Sequence, residues 1–454
     1  MAFLDEEYLL ESASAKRLYD EIRDLPILDP HSHVDVAAIA ANEGWSDIWE
    51  VEGATDHYVW ELMRKRGVDE ELITGSASNR EKWLALADVV PEFAGNPVYE
   101  WIHLDLKRRF GIERPISSET AEEIWTETKA QLDDASMRQQ TLLEEMNVDV
   151  VSSTDDPTST LEHHRRLAET DDTVTVRPTW RPDAAMSIEA ADWREYVAEL
   201  GSATGTSTDD LTGFLTALEV SHEYFDEHGC NASDHGLREV ATGPVSERRA
   251  ADVYRRAYAG EAISPADATD FKAFVLERVG ELNSETGWVT QLHMGAVRDY
   301  RRSLYEELGA DAGGDVSTQS IDLTATLDYV LDRFDGEFDT VLYTVDPTHY
   351  PTLATLARAY PDVSVGAAWW FNDSPYGMQT QLEYVGSVDL LSNYGGMVSD
   401  SRKLVSLESR FELFRRSLAN AVGAMVERGQ LPYSAASELV ERVAYDRPRE
   451  LWDI

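Results

Sequence analysis

Residues 28–36 read LDPHSHVDV and set His31 and His33 one residue apart, directly after the apolar run 25–28. If extended backbone continues past that run, residues i and i+2 face the same way and the two imidazoles converge. A converging pair can bind one divalent cation; the alternative is two exposed loop histidines. MVSDSR, at 397–402, supplies Asp400 and Arg402. An isolated Asp in such a place caps a helix, but beside two imidazoles it completes a three-donor set. Arg402 can grip a carboxylate with its forked guanidinium, or it is an ordinary surface residue. QLHMGAVR, at 291–298, ends an apolar run on His293, with Arg298 a few residues on. PTWRPD (178–183) adds Arg181 and NASDHG (231–236) adds Asp234. WWFND (369–373) brings Trp370 and its aromatic neighbours, which either line a sugar pocket or pack the end of a core; we favour the pocket. STDDP (153–157) reads as a helix start capped by Asp155 or Asp156. In TDHYVWELMRKR (55–66), Thr55 or Asp56 caps a helix from which Tyr58 can reach a site below.

These stretches need a scaffold that gathers them. Eight short apolar or β-branched runs fall at 25–29, 148–155, 175–182, 229–234, 288–296, 339–346, 363–372 and 394–401. Helix-period segments such as 161–168, 321–334 and 350–359 lie between most of them, and a long amphipathic helix, 407–428, follows the last. Strand and helix in alternation predict a parallel sheet, and eight such units predict an α/β fold of the closed (β/α)₈ type. Closure makes the first and last strands neighbours, which brings Asp400 beside His31 and His33. Residues 1–35 and 145–454 are assigned to the barrel. The excess between the first two strands, 36–144, reads as a helical insertion over the barrel mouth, with helices at 45–66, 80–89, 97–110 and 118–132. A second excess, 236–287, is acidic and helical.

Charge sorts the partners. Eighty-five Asp and Glu against 40 Lys and Arg leave a formal net charge of -45, which disfavours nucleic acid and anionic membranes. The acidic residues are spread along the chain and Lys is scarce, a pattern expected of a salt-accumulating halophile, whose counterions screen self-repulsion. A single cysteine, Cys230, allows no intrachain disulfide. The amino terminus lacks the features of a signal peptide, and no apolar stretch approaches the ~20 residues of a membrane span. A cytoplasmic homo-oligomer acting on a small molecule is expected.

Taken in order, DPHSHVD, DHYVWELMR, TGSASNREKW, GNPVYEWIHLDLKRRFGI, STDDPTSTLEHH, RPTWRPD, SDHG, QLHMGAVR, GAAWWFND and MVSDSR resemble the uronate (glucuronate) isomerase family of the amidohydrolase superfamily. Ser32, where the family commonly has Cys, is a small departure. The resemblance implies an aldose–ketose isomerase that converts D-glucuronate to D-fructuronate and D-galacturonate to D-tagaturonate. It implies one divalent metal, Zn²⁺ by preference, on His31, His33 and Asp400. Tyr58, Arg181, Asp234, His293, Arg298 and Arg402 match the family's active-site positions; Tyr58, His293, Asp400 and Arg402 are read as catalytic, and Arg181, Asp234, Arg298 and Trp370 as substrate contacts. A mononuclear metal-dependent hydrolase on the same barrel is the competing enzyme; the chain has no Lys between 129 and 272 to bridge two metals. A non-catalytic sugar-acid binder is the third reading, and polar residues at many separate strand ends argue against it.

Overall fold

The computed structural model describes residues 3–170, 174–238 and 243–454. Seven parallel strands carry the frame: β1 (Ile27–Asp29), β2 (Val148–Ser152), β3 (Thr175–Arg177), β4 (Ala232–Leu237), β5 (Val289–Met294), β6 (Thr340–Thr344) and β7 (Val363–Val365). β1, β2 and β3 pair in order, as do β4, β5, β6 and β7. Trp180 joins the two groups. Its backbone N–H donates to the Ala232 carbonyl (3.1 Å), and its own carbonyl accepts from Asp234 N–H (3.0 Å). On the far side, residues 394–401 fill the gap between β7 and β1. Gly395 N–H donates to the Val365 carbonyl (2.9 Å), Asp400 N–H to the His31 carbonyl (3.1 Å) and His33 N–H to the Ser401 carbonyl (2.9 Å). Eight segments therefore close into one ring, the expected α/β barrel.

β5 and β6 are buried along their whole length, as strands covered on both faces must be. The eighth segment departs from regular strand geometry because Gly396 (φ 89°) and Asp400 (φ 47°) take left-handed backbone. Four strands depart from the sequence reading: β2 stops at Ser152 and β3 at Arg177, short of the expected 155 and 182, and β4 and β7 differ as well. β4 begins three residues later than 229, because residues 227–231 close the preceding helix Leu211–Asp226, with Gly229 at φ 81°. β7 stops at Val365; the chain then rises to the rim and turns at Trp370–Asn372. A side chain at Gly366 would collide with the Tyr343 ring, so only glycine lets the strand pass there.

The helices follow their caps. Segment 45–66 is two helices, Ile48–Glu52 and His57–Lys65, because Asp47 and Asp56 each accept from the two backbone N–H groups that begin a new helix. The expected cap at Asp155 or Asp156 does not form. Asp155 pairs with Trp180 in the barrel, Asp156 closes a turn at Thr158, and helix Glu162–Ala168 starts from Leu161 at φ 49°. Within 236–287 the expected helices are Glu247–Tyr258 and Pro265–Thr286, while 239–242 lie outside the described residues.

Trp49, Trp83 and Trp101 from segment 36–144 share one continuous apolar core with Leu407, Phe411 and Phe414 of helix Ser406–Glu427. A second core, around Trp193, Phe214, Tyr254 and Phe271, packs the helices between β3 and β5. Among the described residues no helix is long and apolar enough to cross a membrane.

Candidate active site

β1 delivers His31 and His33 to the rim, and the eighth segment delivers Asp400. His31 Nε2 lies 3.3 Å and His33 Nε2 3.1 Å from the same oxygen, Asp400 Oδ1. Asp400 is not a helix cap: the next helix begins at Ser406 without a side-chain cap. Its left-handed backbone turns the carboxylate inward, and Oδ2 accepts from the Trp369 indole N–H at 2.7 Å. Burial would raise the Asp400 pKa, but the hydrogen bonds from His31 and His33 outweigh it and hold the group well below the usual carboxylate range. Burial alone would lower His31; Asp234 and Asp400 overcome it and raise that imidazole's pKa. His33 is lowered, since burial there exceeds the pull of Asp400. Ser32 faces away and donates to the Ser152 carbonyl at 2.8 Å.

One layer deeper, Asp234 on β4 meets His293 on β5. Asp234 Oδ1 stands 2.7 Å from His293 Nδ1, and Oδ2 stands 3.0 Å from Arg181 Nη1. Burial works against the Asp234 charge, yet Arg181, His293 and His31 hold its pKa well below the ordinary value. An ionised carboxylate has no proton to give, so His293 carries its proton on Nδ1 and leaves Nε2 with a free lone pair. That Nε2 is buried without a hydrogen-bond partner. Burial lowers the His293 pKa, which keeps the ring neutral. Arg181 is already committed, with Nε on Asp183 at 2.9 Å as well as Nη1 on Asp234.

Above these groups opens a cavity of about 430 Å³ lined by His33, His57, Arg298, Trp370, Asp400 and Arg402, among others. Trp370 holds left-handed backbone (φ 54°), and the Arg298 guanidinium lies 4.9 Å from its ring centre. Arg298 and Arg402 have only loose counter-charges: each stands 3.8 Å from Asp311. Tyr58 comes from the helix His57–Lys65 and stacks on His57 at 4.8 Å. Burial pushes its phenol well above the usual value, so it stays protonated. Nine of the ten residues singled out from the sequence thus lie at or just past the carboxyl ends of the barrel segments; the tenth, Tyr58, lies on helix His57–Lys65 and does not line the cavity. His57, Trp369, Lys403 and Arg410 were not singled out. His57 adjoins Tyr58 and Trp369 adjoins Trp370, so proximity to named residues was their only sequence signal.

The donor chemistry suits a divalent cation. Two imidazole nitrogens and a carboxylate oxygen from His31, His33 and Asp400 lie within 4.8 Å of one another. His31, Asp234 and His293 form a second such group, but the guanidinium on Asp234 makes it the poorer host.

A closed parallel barrel with a cation-competent polar site at the carboxyl ends of its strands places the molecule among the metal-site (β/α)₈ barrels. The glucuronate isomerase family model matches residues 1–452, and the chain belongs to that family. It is 57% identical over 450 residues to the uronate isomerase of Thermotoga sp. strain RQ2, covering 99% of each chain. The crystal structure of uronate isomerase from Thermotoga maritima superposes with a TM-score of 0.98 at 57% identity, over 100% of both chains. That of glucuronate isomerase from Caulobacter crescentus gives 0.95 at 25% identity, over 100% of this chain and 97% of that one.

Proposed function

We propose that the chain interconverts D-glucuronate and D-fructuronate, and D-galacturonate and D-tagaturonate, by moving a proton between C2 and C1 through a cis-enediol. The observation that carries this reading is the meeting of His31, His33 and Asp400, the last two of which line a cavity that also presents two loosely paired arginines. His31, His33 and Asp400 would hold one divalent metal, with Zn²⁺ suited to two nitrogens and one oxygen. When bound, that ion supplies Lewis-acid stabilisation of charge on the sugar oxygens.

The remaining roles follow from what each side chain has free. Arg298 and Arg402 are only loosely paired, with Asp311 and, for Arg298, Asp315, and hold the substrate carboxylate at C6. Arg181 is saturated by Asp234 and Asp183, so it orients Asp234, which in turn fixes the His293 tautomer. The free Nε2 of His293 takes the C2 proton while the neutral phenol of Tyr58 protonates the C1 carbonyl oxygen, giving the enediol. His293 then delivers its proton to C1, and the C2 hydroxyl proton returns to Tyr58, which restores both groups. Ionised Asp400 accepts the anomeric hydroxyl proton when the sugar ring opens and returns it to the ring oxygen, which restores the carboxylate. Trp370 offers an apolar face to the sugar. Segment 36–144 acts as a cap that brings Tyr58 over the mouth, and the working form is a homo-oligomer.

The test is incubation of metal-loaded protein with each uronate, followed by NMR. In D₂O the ketose appears, with solvent deuterium exchanged in at the transferred position. Release of acid from ester or amide substrates without ketose formation would replace the isomerase with a hydrolase.

A further inference from the structure

Three residues beyond Asp400, the chain buries a lysine that the proposed chemistry does not use. Lys403 is 5% exposed. Its Nζ lies 3.1 Å from Glu52, 3.2 Å from Asp56 and 3.7 Å from Asp105. All three carboxylates belong to segment 36–144, whereas Lys403 belongs to the barrel rim. Asp56 divides its two oxygens between two tasks. Oδ1 caps helix His57–Lys65, accepting from Tyr58 N–H at 2.9 Å and Val59 N–H at 3.4 Å. Oδ2 faces Lys403. At the other end, Lys403 N–H donates to Ser401 Oγ at 3.0 Å, and the Ser401 carbonyl accepts from His33 N–H at 2.9 Å. A continuous path thus runs from His33 through Ser401, Lys403 and Asp56 to the first turn of the helix that carries His57 and Tyr58.

We infer that Lys403 and Asp56 form a positioning pair, which fixes how that helix sets His57 in the cavity wall with Tyr58 stacked against it, and so governs turnover rather than substrate binding. The pair touches neither the cavity arginines nor the three metal-site donors through its side chains, so its loss should leave carboxylate capture intact. A purely structural ion pair would lower stability and leave kcat of the folded enzyme alone. The kinetic half of this inference rests on the isomerase reading; the structural half does not.

The test uses Asp56→Asn and Asp56→Ser in the full metal-loaded chain. Both residues are good helix caps, so helix His57–Lys65 is retained while the pairing charge is removed. Lys403→Met serves as a harsher companion, and Asp210→Asn, at the cap of Leu211–Asp226 with no lysine behind it, is the control. Because a misplacement of about an ångström can slow catalysis ~100-fold, kcat is expected to fall by about 10- to 100-fold in the Asp56 variants. KM and bound metal stay within about twofold of wild type, as loss of a transition-state alignment predicts. Amide hydrogen exchange rises across 57–65 and not in the control. Unchanged exchange in that helix overturns the inference whatever the activity, as does an unchanged kcat in a chain that isomerises. A wild-type chain inert toward both uronates overturns the isomerase reading instead, and the exchange result alone then decides the structural half.

Discussion

Two buried charged clusters lie within four residues of each other in sequence, and they behave in opposite ways. Around Asp400, imidazoles and a carboxylate converge on a cavity with donor atoms to spare. Around Lys403, three carboxylates converge on one ammonium that is almost fully buried. Both hold a carboxylate against nitrogen donors, so composition does not separate them. Access does: the first cluster meets a cavity of about 430 Å³, large enough for a sugar acid, and the second borders a pocket of only about 20 Å³. Burial raises the Glu52 carboxyl to about 8 despite Lys403, and raises Asp105 likewise. An open, underfilled cluster can exchange ligands and protons. A closed one can only hold elements together.

The largest effect should come from the open cluster. Asp400→Asn keeps the shape and removes the charge. It should release the metal and lower kcat/KM by about a thousandfold or more, several kcal/mol of transition-state stabilisation, with little change in Tm. Elemental analysis and NMR turnover check it, and retention of both would mean that the open cluster is not the site. Next is the closed cluster: Lys403→Met leaves three carboxylates without their cation and should destabilise the fold by about 3–5 kcal/mol. Denaturant unfolding measures this, and a loss under 1 kcal/mol would erase the distinction drawn above.

A smaller effect tests the cavity wall. Arg402→Met should raise KM for uronates by about 10- to 100-fold, the range of a lost charge-assisted hydrogen bond, with a lesser effect on kcat. An equal fall in kcat at constant KM would move Arg402 from binding to chemistry. The smallest effect concerns pH. Glu52 has a raised pKa when folded, so the folded state holds a proton that the unfolded state gives up. Its contribution to stability is full below the ordinary value of 4.5 and declines as pH rises toward the folded value. Glu52→Gln removes that slope, so its Tm relative to wild type should climb by a few degrees between about pH 5 and pH 8. A flat difference would show that Glu52 is ionised in the fold and that the closed cluster carries its full negative charge.

Local chemistry was legible wherever a residue's neighbours in sequence decided its role. The cap at Asp56, the apolar strands β5 and β6, and the helix following the eighth segment all follow from short windows of residue type. The order of strands and helices implied a closed ring, and the ring implied that Asp400 would stand beside His31. Misreadings fell where a short window is ambiguous. Asp155 sits in a stretch that looks like a cap but forms part of the barrel pairing, and the apolar run after Val365 looks like more strand but leaves the sheet.

What the sequence by itself determined, then, is the repeating pattern of elements and the set of polar residues at their ends, because hydrophobic periodicity and capping act over a few residues. Only the tertiary structure decided that Arg181 is spent on Asp234, that Trp369 steadies Asp400, and that Lys403 reaches three carboxylates about 300–350 residues away in the chain. Such pairings depend on distances set by ring closure and by the seating of segment 36–144. Electrostatic interaction acts through space and not along the chain, so no local pattern announces it.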